Sequence, residues 1–264
     1  MDASPATTTI RFSRVLPYWA VLQTDLRQTV RSWVYLTWVL LLIVAAGGYV
    51  MFKLGAAKKA GEFQPASVQT GDLLRALVVG SLSLVSLIAV GGIASERGTV
   101  ADSVLSRGIS RHQYFLAKWH ARLGVTVGTF VLLAIGILAT YAVVFTETLT
   151  GGGTNLTLPG GLLGVLVLAA GLAVVVSWGV TIGALANGTV TGITLFWVVL
   201  FGGLLILSQL PASYPTPERM LDELRRVLAG TASEVAIGEF VGVSAVLSLS
   251  AAAVGLVGFA RRDV

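Results

Sequence analysis

The chain has no cysteine, so disulfides, thiolate metal sites and a cysteine nucleophile are excluded. Methionine is nearly as scarce: beyond Met1 only Met51 and Met220 could offer a soft ligand to a metal such as copper. Charge is the next deficit. Only 12% of the 264 residues are charged, against about 25% in soluble domains. No Gly-Lys-Ser/Thr occurs, so the chain has no P-loop with which to hydrolyse ATP. His112 and His120 are the only histidines and lack the His-Glu-x-x-His spacing of a metalloprotease, so they read as interfacial polar residues. The first thirty residues are polar and contain no short apolar region followed by a cleavage site, so they do not read as a signal peptide.

What fills the space is apolar: 55% of residues are hydrophobic and the mean hydropathy is +0.84. That composition belongs in lipid. The net charge of +5 comes from bases flanking apolar runs. Such placement suits an anionic membrane surface, whereas a nucleic-acid binder gathers its bases on one soluble face.

Apolar periodicity and length give an all-α membrane protein forming a single domain over 1–264. Six spans are expected at 33–52, 73–95, 119–145, 161–186, 189–210 and 236–260, each near the ~20 residues that cross the hydrocarbon core. Residues 1–32 make a tail and an amphipathic connecting helix from Pro17 to about Arg31. Its apolar stripe is Trp19, Leu22, Leu26 and Val30, and it suits the membrane surface. Residues 53–72 and 146–160 read as polar loops, and Asn187-Gly188 as a tight turn. Residues 211–235 alternate Met220, Leu221, Leu224, Val227 and Leu228 with acids and arginines, which predicts an interfacial helix before the sixth span. Residues 261–264 form a short basic tail.

Eleven of the eighteen Lys and Arg residues fall on the side of the N-terminus, seven on the other. The positive-inside rule then places both termini in the cytoplasm and the 211–235 helix outside. The central parts of all six spans lack Asp, Glu, Lys, Arg and His. An ion-coupled carrier usually keeps such a residue there. Arg75, Arg122 and Glu239 lie near span ends and read as interface anchors. Glycines four apart (124 and 128, 179 and 183, 188 and 192, 238 and 242) predict close helix packing, within the bundle or in a dimer.

One polar stretch between the second and third spans carries both acids and bases, from Glu96 to Lys118. Thr99 with Asp102 three residues on can cap a short helix through Val100, Val104 and Leu105, ended by Arg107-Gly108. Ser110 with Gln113 repeats the pattern and opens the next helix. A short amphipathic helix held between two spans suits docking onto another protein.

At Glu96-Arg97-Gly98-Thr99-Val100, Leu105-Ser106-Arg107-Gly108-Ile109-Ser110-Arg111 and Tyr114-Phe115-Leu116-Ala117-Lys118, the chain resembles type-2 ABC exporter permeases. The order of elements resembles that family along nearly the whole chain, although Gly108 stands where the family often has Pro. The resemblance implies a cytoplasmic coupling helix over 99–106 that fits a groove on a separate ATPase subunit. Glu96, Arg97, Thr99, Val100, Asp102, Val104, Leu105, Arg107 and Arg111 would make that contact. It also implies a second permease chain, identical or not, and a prokaryotic cytoplasmic membrane. This chain would bind no cofactor, with ATP and Mg held on the partner, and it would not itself be an enzyme. A membrane scaffold or assembly factor is the alternative from another class.

Overall fold

The computed structural model describes residues 15–60, 65–95, 109–144, 156–211 and 214–261, and every regular element among them is a helix. The first, α1, spans Leu16–Arg31, with Pro17 in its opening turn where a missing N–H costs nothing. Ser32 ends it with extended backbone, and the Ser32 hydroxyl then accepts the Tyr35 N–H at 3.2 Å. One serine thus stops α1 and caps α2, Trp33–Ala60.

The polar loop expected over 53–72 is largely helix instead. α2 continues to Ala60 and α3 begins at Ala66. The Ala and Lys residues after Lys53 are good helix formers. Ser67, Gln69 and Thr70 are buried rather than facing water. α3 is α-helical over Ala66–Leu84 and Gly91–Ser95, with an unforeseen π-helical turn at Val85–Val90 between them. α4, Arg111–Val144, starts eight residues before the apolar run. Its start is set by the cap: Gln113 N–H donates to Ser110 Oγ while Ser110 N–H donates to Gln113 Oε1, each at 3.2 Å. α5, Leu158–Leu185, opens on Thr157, whose Oγ1 accepts the Gly160 N–H at 3.1 Å. α6 is Thr189–Ser208.

The helix expected over 211–235 is two short ones, α7 (Pro217–Asp222) and α8 (Leu224–Leu228), broken at Glu223. Met220, Leu224, Val227 and Leu228 are buried, so the apolar side is spent on protein. Gly230, at φ +72, ends α8 with Thr231 N–H bonded to Arg226 O and Gly230 N–H to Val227 O. This is the paired C-terminal motif that favours glycine. α9 is Glu234–Arg261.

Six of these helices are long and apolar enough to cross a membrane, consistent with an integral membrane protein. α3 and α5 form the centre: 56% of the apolar window of each is buried, against 6% for α2 and 11% for α6. The π turn lies against α5 at Gly183, where a Cβ would come within 2.7 Å of the Val90 carbonyl oxygen. Only glycine permits that approach. By contrast Gly124, Gly128, Gly238 and Gly242 have open space beside them, so those pairs pack nothing among the described residues. Polar links cross the buried core. Trp119 Nε1 donates to Ser177 Oγ at 3.0 Å, Ser177 meets Ser248 at 2.6 Å, and Thr181 Oγ1 donates to Ala251 O at 2.7 Å.

Candidate functional site

Glu96, Arg97, Thr99, Val100, Asp102, Val104, Leu105 and Arg107 lie outside the described residues; the two helices that carry their segment do not. Of the expected contact residues only Arg111 is described. Its Nη1 donates to Ala260 O at 3.2 Å, at the negative end of α9 where carbonyls lack helical partners. Beside it the Tyr114 and Phe259 rings stack with centroids 5.9 Å apart. Arg111 therefore fastens the start of α4 to the end of α9, so the chain resumes after the segment on a fixed post.

A second fastening lies two to three turns further along α4. Lys118 Nζ donates to Asp25 Oδ1 at 2.5 Å, and Arg122 Nη2 to the same oxygen at 3.1 Å. Asp25 is 2% exposed, Lys118 5% and Arg122 5%. Arg122 Nη1 also donates to Thr29 Oγ1 at 2.5 Å. Leu22 packs on Ala117 and Ala121, and Tyr35 OH meets Thr129 Oγ1 at 2.7 Å. From Leu22 to Tyr35 the contacts climb α4 from Ala117 to Thr129, so α1 and the start of α2 run alongside α4 in its own direction.

This overturns the reading of Arg122 as an interface anchor. Its charge is neutralised by an acid from α1, not by water. Desolvating three ions costs several kcal/mol each, and the short contacts offset that cost only while all three remain. Among the described residues two bases meet one acid here. Asp25 Oδ2, Arg122 Nε and Thr126 Oγ1 are buried without a hydrogen-bond partner among the described residues.

Sequence reasoning missed Asp25 because each charge was weighed against its own span. The signal was there: Asp25 and Thr29 sit four apart, as do Lys118 and Arg122. Two such pairs can face each other across two helices.

The apolar stripe expected on α1 is split: Leu22 is buried against α4 with Leu26 packed beside it, and the other two members are exposed. Tyr18, Val21, Leu22, Asp25 and Thr29 face α4, while Trp19 is 59% and Val30 44% exposed. Partial burial pushes the Tyr18 phenol above its ordinary pKa. Of the other expected anchors, Arg75 donates to Leu221 O and lies 3.9 Å from Asp222, tying α3 to α7. Glu239 is exposed, as are both histidines. No family model, curated protein or solved structure matches the chain.

Proposed function

We propose that the chain is the membrane-spanning permease subunit of an ATP-driven ABC exporter, worked by a separate ATPase that docks on residues 96–108. The observation that carries this reading is the bracing of the segment's far flank. The reciprocal Ser110–Gln113 cap, the Arg111–Ala260 bond and the Asp25 cluster all hold the first three turns of α4. A push delivered there would move α4, α1 and the end of α9 together. The Glu-Arg-Gly-Thr and Ile-Ser-Arg matches supply the family reading.

In this mechanism ATP binding closes two ATPase subunits against two permease chains and presses on a coupling helix over 99–106. Val100, Val104 and Leu105 fill the ATPase groove. Thr99 and Asp102 cap the helix, and Glu96, Arg97, Arg107 and Arg111 keep it in register. Motion of α3 and α4 then changes access to a cavity between the two permease chains. The 96–108 segment and both termini face the cytoplasm of a prokaryotic cell, α1 lies at the inner membrane surface, and α7 and α8 face outside. ATP and Mg bind on the partner. The buried Asp25 does not revive an ion-coupled carrier, because two bases hold it and it lies near the end of the bundle.

Co-purification tests the reading directly. A P-loop ATPase is expected to accompany the permease, and Val104→Asp with Leu105→Asp should abolish its permease-stimulated hydrolysis while the permease stays folded. Unchanged stimulation by the double variant sinks the coupling mechanism; a folded permease with no ATPase partner points to a membrane scaffold.

A further inference from the structure

The outward flank of α1 holds a groove of about 610 Å³ lined by Trp19, Leu22, Gln23, Leu26, Arg27 and Val30. All six lie on one face of α1, four of them apolar and two polar. We propose that this groove binds one anionic phospholipid, with an acyl chain against Trp19, Leu26 and Val30 and the phosphate at Arg27.

Three observations single out that occupant. Asp25, Thr29 and Leu22 are turned against α4, which leaves Trp19 and Val30 exposed on the opposite flank beside Arg27. It runs directly into α2, the least buried of the six apolar helices, where Trp33 is 84% and Val34 51% exposed. The apolar surface is therefore continuous from the groove onto a helix built to contact acyl chains. Arg27 is exposed in the groove rim and makes no ion pair among the described residues, and Arg31 follows one turn later. An arginine beside an acyl-binding surface meets phosphate, and an anionic headgroup adds attraction that a zwitterionic one lacks. The inference needs only the membrane, not the transporter reading.

The test uses the full chain, delipidated in detergent and titrated with phosphatidylglycerol or phosphatidylcholine of the same acyl chains. Native mass spectrometry reads lipid retention. One phosphatidylglycerol should be held in preference to phosphatidylcholine, and Arg27→Gln should weaken that preference about fivefold. Arg27→Lys should keep most of it. Chain-brominated phosphatidylglycerol should quench Trp19, read as the difference between the protein and its Trp19→Phe variant.

Equal retention of both lipids, or an Arg27→Gln variant that retains phosphatidylglycerol unchanged, overturns the proposal. So does a Trp19 that brominated lipid cannot reach. In that case a disulfide between Val30→Cys and Leu105→Cys would identify the chain's own 96–108 segment as the occupant. The absence of native cysteine makes that cross-link unambiguous.

Discussion

Asp25 holds Lys118 and Arg122 through a single oxygen: Oδ1 is 2.5 Å from one cation and 3.1 Å from the other, while Oδ2 is buried without a partner among the described residues. Asp25→Ala removes the acid that holds two buried cations and should cost about 3–5 kcal/mol. Urea unfolding in detergent measures this. Glu239→Ala, at an exposed acid, should stay within about 0.5 kcal/mol. Adding Lys118→Met to Asp25→Asn should recover part of the loss, since the double change removes charge of both signs. No recovery would mean that the cost lies in packing instead of electrostatics.

Gly183→Ala should separate α3 from α5, because the new methyl would meet the Val90 carbonyl. Overpacking of this kind costs about 1–3 kcal/mol. Gly128→Ala places its methyl in open space and should stabilise the chain by about 0.5–1 kcal/mol. Thermal unfolding of the pair in detergent separates the two outcomes. If Gly128→Leu leaves the monomer folded but lowers its self-association, the free glycine pairs serve a second copy.

The π turn at Val85–Val90 accommodates one extra residue inside an otherwise α-helical rod. Deleting Leu87, which is 54% exposed, should convert that turn to α-helix and keep the packing faces on both sides. Deleting Val79, equally outward at 65% exposed but in regular α-helix, should rotate everything beyond it. Yield and thermal stability of the two deletions are expected to differ in favour of the first. Equal damage from both would count against a local one-residue insertion.

Single cysteines report orientation without background, because none is native. Ser110→Cys and His112→Cys, both at exposed positions, should react with a membrane-impermeant maleimide only after cells are opened. Tyr214→Cys and Thr231→Cys, also exposed, should react in intact cells. The reverse pattern would put residues 96–108 outside and end the ATPase-coupling reading.

The six apolar helices were legible because each needs only composition and length, and both survive without knowledge of neighbours. Caps were legible for a related reason: Ser110–Gln113 acts within four residues, and it placed the start of α4 better than the end of the apolar run did. Where tertiary contacts decide, the sequence misled. Ser67, Gln69 and Thr70 read as loop because they are polar, yet burial against other helices makes them helical core. The stripe on α1 read correctly as apolar, but which flank faces protein depended on Lys118 and Arg122, ninety-odd residues away. The π turn left no trace that periodicity alone could find, as Val85–Val90 is apolar except for Ser86. Of the expected contact residues, Arg111 is bonded to the end of α9, and the other eight lie outside the described residues.

The length of α4 has a mechanical meaning. Its 34 residues, at about 1.5 Å each, make a rod of about 51 Å, while the hydrocarbon layer is about 30 Å thick. Some twenty ångströms of it are therefore more than the oil can cover, and α1 is strapped along its opening turns like a splint. A free mast of that size would flex and fray. Splinted by an ionic rivet and moored to the tail of the last helix, its opening turns are tied to both neighbours as one piece.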